Sequence, residues 1–267
     1  MAIKANFNST DPFPAGTDSE TLRAIFSALN ESGMKSITLA ERSGMGDTRS
    51  ILQSHGIFMC AKEFGCSVKV IDSLGTEGFV HIQDPRYHWR RGFLITRDFV
   101  EADRVVSTCC LKTHRFGGHF TLSLKNSVGA IAQRDPADAY DYMRELHGSA
   151  RQRTLIAEIN AAYRTDLVIM DARKGFVRGG PESGDLIAPE IMLAGNDRVA
   201  IDAAGVAILR LYGTTPEVAQ GPIAHLEQIA RAAELGVGTA DPNRIEIVPL
   251  DAAAGHVAER IEKELQG

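Results

Sequence analysis

Apolar and polar positions along this chain change period repeatedly, and each change marks a new element. The opening MAIKAN reads as a strand. Thr17 and Glu20 have the spacing of a capping box, after which Leu22, Ile25, Phe26 and Leu29 keep one helical face as far as Gly33. KSITLAE is the second strand. Beyond SGMGDTRS come helices around 48–55 and 58–65, then the strand SVKVID. This βαβαβ order predicts a parallel sheet, because parallel neighbours need a crossover between them.

FLITRDFVEADRVVSTCCLK holds two more β-rich pieces, the second running into Cys109 and Cys110. Leu122, Leu124, Val128 and Ile131 give 120–131 a helical spacing. After the loop AQRDPADA, helices are expected around 140–146 and over ARQRTLIAEINAAY, where Leu155, Ile159 and Ala162 share a face. LVIMD, at 167–171, is the unbroken apolar run of a strand buried on both sides. APEIMLAGND leads to Asn196 or Asp197 as a cap, followed by the nearly all-apolar helix VAIDAAGVAILRLYG, closed by Gly213. A helix at 223–235, the strand RIEIVPL and a C-terminal helix follow. The pattern therefore predicts a two-lobed α/β protein with mostly parallel sheets flanked by helices. Residues 1–102 form the first lobe and 103–267 the second, with the site in the cleft between them.

Composition narrows the class. With 267 residues, 44% of them hydrophobic, the chain can bury a sizeable core. Its net charge of −5 argues against nucleic acid or an anionic membrane as a partner. MAIKANFNST lacks the order of a signal peptide, and no apolar run reaches membrane-spanning length, so a cytoplasmic protein is expected. The four cysteines contain no C-x-x-C and are expected as free thiols. A symmetric homodimer is the first alternative to a monomer.

Candidate chemistry concentrates in CCLKTHRFGGHFTLSLKNSVGAI, residues 109–131. Lys112, Thr113, His114, Arg115 and His119 surround Gly117 and Gly118 just beyond a strand, where open parallel sheets bind ligands. Cationic donors around a glycine loop suit a carboxylate or phosphate. Lys125 and Asn126 interrupt an apolar stretch; a buried lysine has a lowered pKa and can act as base or nucleophile, the alternative being a snorkelling side chain. Asp171 ends the strand LVIMD and is a candidate acid–base group or metal ligand. His114 and His119 are candidate metal ligands with it. Cys109 and Cys110 point to opposite strand faces, so at most one meets a ligand; a redox or cluster role competes with simple burial. Asp202, inside the apolar helix, needs a partner, either Arg198 or Lys125. GFVRGGPESG is a lid or a connector. No dinucleotide fingerprint is present, since Arg49 occupies the third small position of G-x-G-x-x-G.

The order Lys4 and Asn6, then L-K-T-H at 111–114, Thr121 with Lys125, Asn126 and Gly129, Asp171, the turn Gly179, Gly180, Pro181 and Gly184, then Asp197, Arg198 and Asp202, and finally A-x-x-L-G-x-G at 233–238 resembles the family catalogued as domain of unknown function 362. The resemblance spans nearly the whole chain and places Lys4 and Asn6 in the site. Some members of that family carry a ferredoxin-like C-x-x-C-x-x-C module; it is absent here, which removes the main reason to expect an electron carrier. A looser similarity in layout is to the lactate racemase family, which uses a nickel-pincer nucleotide. Two functions follow as expectations. One is an enzyme for a small anionic substrate, with Lys125 or His114 as base and Lys112 or His119 holding charge. The other is an accessory or redox protein that binds a metal, an iron–sulfur cluster or another cofactor through Cys109, Cys110 and the histidines.

Overall fold

The computed structural model describes residues 1–267. Its first third follows the expected βαβαβ order: strand β1 (Ala2–Lys4), helix α1 (Ser19–Glu31), β2 (Thr38–Glu41), α2 (Thr48–Ser54), α3 (Ile57–Glu63) and β3 (Ser67–Val70). Strands β4 (Phe79–Ile82) and β5 (Phe93–Thr96) form a separate antiparallel pair, followed by the single turn α4 (Arg97–Val100). Then come β6 (Val105–His114), β7 (His119–Thr121), the short α5 (Ser123–Asn126), α6 (Tyr142–Gly148) and α7 (Gln152–Asn160). The long β8 (Leu167–Arg178), β9 (Asp185–Ile187), β10 (Ile191–Gly195), α8 (Arg198–Leu211), α9 (Pro216–Ala219), α10 (Glu227–Glu234) and α11 (Ala252–Gln266) complete the chain. No helix is long and apolar enough to cross a membrane.

One mixed sheet in the order β10-β8-β6-β1-β2-β3 organises these elements. Its inner pairs, β8 with β6, β6 with β1, β1 with β2 and β2 with β3, are all parallel, whereas β10 is antiparallel to β8. Because β1 pairs with both β2 and β6, the sheet runs without a break across the 102/103 boundary. The expected pair of lobes with a cleft between them is therefore not what the sheet displays.

Alternation along the strands sends side chains to opposite faces. Ile3, Leu39 and Val106 pack with Leu22, Phe26, Leu52 and Ile57 of the first three helices. Ala2, Ala40 and Val105, one residue out of phase, pack with β4, β5 and α7. Cys109, Leu111, Val168 and Met170 meet α8, α10 and α11. Helix α8 sits so close to the sheet that a Cβ on Gly205 would lie 2.9 Å from Leu122 Cδ1 and 3.0 Å from Met170 Sδ. A side chain there would have to displace the ends of Leu122 and Met170 within a close-packed core.

Four local expectations change. Asp18, not Thr17, caps α1 by accepting from the Glu20 amide at 2.7 Å, while Thr17 Oγ1 accepts from the Asn6 amide. The segment 120–131 is no single helix: it is the return strand β7, one turn of α5 and a 3-10 turn at Ser127–Ala130. Strands β6 and β8 both run past the points where their apolar runs end, and extend each other beyond a register shift at Cys110/Leu111. RIEIVPL pairs with no strand; Ile245 and Ile247 instead pack as partly buried side chains against the α8 core.

Candidate functional site

Three parallel strands carry a charged residue at or near their carboxyl ends: Lys4 closes β1, Glu41 closes β2, and Lys112 lies two residues before the end of β6. Beyond that sheet edge lies a cavity of about 340 Å³, roofed by α5, the following 3-10 turn and α6. Lys4, Asn6, Lys112, His114, Lys125 and Asn126 all line it, so six of the twelve expected catalytic and substrate-binding residues converge. Glu41, Arg42 and His147 line it as well. None of the three is a sequence-based candidate, although Glu41 and Arg42 stand in ITLAER as Lys112 stands in CCLKTH, with charge directly after an apolar strand.

Most of the cations are held fast by the protein. Lys4 Nζ reaches Glu41 Oε1 at 2.5 Å and the Ala5 carbonyl at 2.6 Å, with Asn126 Oδ1 at 3.4 Å. Lys112 Nζ donates to Asn6 Oδ1 at 2.9 Å and to the Ala15 carbonyl. Arg42 donates to the Ile131, Ser43 and Val128 carbonyls, anchoring β2 to the roof. Burial lowers the pKa of Lys112 and of Arg42, and it raises that of Glu41 against the pull of Lys4. Gly129 makes room for the ion pair, since a Cβ there would lie 2.8 Å from Glu41 Oε1 and from Lys4 Nζ.

Lys125 differs from the others. Its Nζ makes no hydrogen bond or ion pair with the protein, yet it lines the cavity. Desolvation, then repulsion from Lys112 and Arg42, pushes its pKa down to about 7. Its sequence neighbour Asn126 makes no hydrogen bond with it. Asn126 is instead a junction, accepting from Asn6 Nδ2 at 3.3 Å and donating to Ser107 Oγ and the Thr108 carbonyl at 3.2 and 3.1 Å. Nor does Asp202 pair with Lys125 or Arg198. Its two carboxylate oxygens accept from the Ser123 and Leu124 amides at 2.7 and 3.1 Å, so it caps the one-turn helix that presents Lys125. Burial nevertheless raises Asp202 to about 8, outweighing those two bonds.

The two histidines in the cavity are complementary. The Gly118 amide donates to His114 Nδ1 at 3.3 Å, which leaves a neutral ring with its proton on Nε2. Burial and neighbouring cations, Lys125 first among them, hold this ring far below the usual histidine range, so it stays neutral. His147 Nδ1 bonds the Met143 carbonyl at 2.8 Å and must donate to it, which leaves Nε2 as an acceptor at the exposed rim. The site thus offers one N–H donor and one proton acceptor.

Other expected residues lie elsewhere. Asp171 does not line the cavity: its carboxylate accepts from Thr21 Oγ1 at 2.7 Å and from Arg173 Nη2 at 2.7 Å, tying β8 to α1. Arg173 can reach back because the register shift leaves Ala172, Arg173 and Lys174 without partners on β6. Thr113 bonds the Phe176 carbonyl, Arg115 pairs with Glu182 at the hairpin tip, and Gly117 accepts from Arg153. Gly118 borders the site through its amide, while His119, partly buried at the start of β7, does not line the cavity. Cys109 and Cys110 are both 1% exposed, and burial drives their thiols upward, Cys110 to about 12. No three His, Cys, Asp or Glu side chains gather to hold a metal ion. The metal set expected from His114, His119, Cys109, Cys110 and Asp171 therefore does not assemble. The glycine–proline turn does contribute: Pro181 lines the cavity, and Gly180 accepts from the Arg115 amide.

Fold and site together define an α/β protein with a cation-rich cavity at the carboxyl edge of a mostly parallel sheet. The chain belongs to the family described as Domain of unknown function (DUF362), whose model matches residues 1–207, a span containing every residue that lines the cavity. The looser similarity to the lactate racemase family gains no support from the comparisons. No curated protein matches the chain.

Proposed function

We propose that the chain is an enzyme acting on a small carboxylate- or phosphate-bearing substrate by lysine and histidine acid–base chemistry. The observation that carries the reading is the unpaired amine of Lys125 inside a cavity where Lys4, Arg42 and Lys112 are already held by protein acceptors. Preorganised cations bind an anion without having to reorganise, and a water-poor site strengthens them. An amine with a pKa of about 7 exchanges a proton readily at neutral pH. His114 Nε2–H would hold a substrate oxygen, and His147 Nε2 would accept a proton at the rim.

The test is thermal melting with inorganic phosphate, oxalate or succinate, at constant ionic strength. An anion present at a hundred times its Kd adds about 2.7 kcal/mol to stability. At least one of the three should raise the wild-type Tm saturably and leave Lys125→Met unmoved. Absence of any rise, or equal rises in both proteins, would overturn the reading.

A further inference from the structure

The cavity divides its basic groups into two kinds. Lys4, Arg42 and Lys112 each have protein acceptors that fix the charge in place. Lys125 has none, and it sits on a rigid turn held from below by Asp202 and Asn126. Neutral amines are nucleophiles, and desolvation, with repulsion from the fixed charges beside it, favours the neutral form of this one. Proton transfer alone would not need the amine to be so bare, since a hydrogen-bonded lysine also exchanges protons. Nucleophilic attack does need an unshared lone pair facing open volume.

His114 stands beside that amine. The point where a Cβ on Gly118 would sit is 2.8 Å from Lys125 Cε and 2.9 Å from His114 Nδ1, so the two side chains meet over this glycine. With Nδ1 occupied by the Gly118 amide, the ring can offer only Nε2–H. Both side chains line the same cavity, and a neutral N–H donor together with a neutral amine is the pair that polarises a carbonyl oxygen while its carbon is attacked.

We propose that Lys125 forms an imine with the carbonyl carbon of a small oxo acid, whose acidic group is held by the fixed cations; the inference rests on the anion-site reading above and names its substrate class. The Lys125 nitrogen forms a bond to the carbonyl carbon, and the carbonyl π electrons move to oxygen, which His114 Nε2–H steadies. One amine proton passes to that oxygen through His147 or water, giving a carbinolamine. Loss of the hydroxyl with a proton from solvent releases water and leaves a protonated imine. No electrons are gained or lost overall. The product carries an electron sink, which suits reactions that break a bond at the carbon next to the former carbonyl.

Borohydride trapping tests this directly. The intact protein is incubated with glyoxylate or pyruvate at neutral pH, reduced with cyanoborohydride, digested and mapped by mass spectrometry. A single stable adduct on Lys125 is expected from at least one acid. It should be lost in Lys125→Met and reduced at least tenfold when acetone, which lacks the acid group, replaces pyruvate. Adducts spread over exposed lysines, adducts formed equally with acetone, or no adduct at all would overturn the imine. Calorimetric titration of the same acids without reductant separates the two ideas. Saturable binding with no Lys125 adduct leaves the anion site standing and removes the imine, whereas neither binding nor adduct removes both.

Discussion

Replacing Lys125 by Met should stabilise the protein at neutral and acid pH. Methionine keeps the stem that passes Gly118 but has no charge to desolvate. The wild-type amine falls from its ordinary 10.5 to about 7, so the folded protein binds a proton less readily than the unfolded chain. Between those two values the unfolded state holds more protons, and wild-type stability therefore rises with pH across that window. Below about 7 the amine is charged in both states and its full desolvation cost is present; above 10.5 it is neutral in both and the cost is gone. At 1.36 kcal/mol per pKa unit the displacement corresponds to an upper limit of about 4–5 kcal/mol. Relaxation of the protein around the amine lowers what is realised, and a gain of about 1–3 kcal/mol at pH 6 is expected, or several degrees in Tm. Urea unfolding of both proteins from pH 6 to 9.5 reads it out. The gain should shrink steadily above pH 7. A loss of about 3–5 kcal/mol, recovered in the Lys125→Met, Asp202→Asn double variant, would instead reveal a buried ion pair and refute the reasoning.

Other substitutions probe the surrounding structure. Glu41→Gln leaves Lys4 charged and uncompensated at 1% exposure, and should cost about 3–5 kcal/mol in denaturant unfolding. Gly118→Ala places a methyl group against Lys125 Cε and His114 Nδ1, and should weaken anion binding at least tenfold by calorimetry, with a stability loss of only about 1–2 kcal/mol. Asp202→Asn keeps an acceptor for only one of the two α5 amides; a loss of about 1–3 kcal/mol is expected, with anion binding falling alongside it. Native-state alkylation at pH 8 should spare Cys109 and Cys110, whose thiols are sealed and raised, and peptide mapping checks it.

What the sequence shows of this fold is what local periodicity can show. α1, α2, α3 and the parallel β1, β2 and β3 are each built from residues close in the chain, so their patterns survive folding. The segment 120–131 misleads because its helical turn is capped by Asp202, 79 residues away from Ser123, and no local pattern contains that bond. RIEIVPL misleads because a strand needs a neighbour, and alternation reports only which side chains are apolar. At the site, a position just beyond an apolar strand points to Lys112, the family resemblance points to Lys4, and Glu41 and Arg42 follow an apolar strand in the same way as Lys112. Asp171 carries that signal too, but β8 continues past it through a register shift, and its carboxylate turns to Thr21 and Arg173. The chain shows which residues are charged; only packing shows which of them remain unpaired.

The most direct measurement is the titration of Lys125 itself. In protein carrying ¹³C at lysine Cε, the resonance that disappears in Lys125→Met should titrate near 7, far below its ordinary 10.5. Addition of the bound anion should move that midpoint upward, because a negative charge beside the amine favours its protonated form. A midpoint close to 10.5, or one that no anion shifts, would contradict the claim that this cavity presents a neutral amine to an anionic ligand.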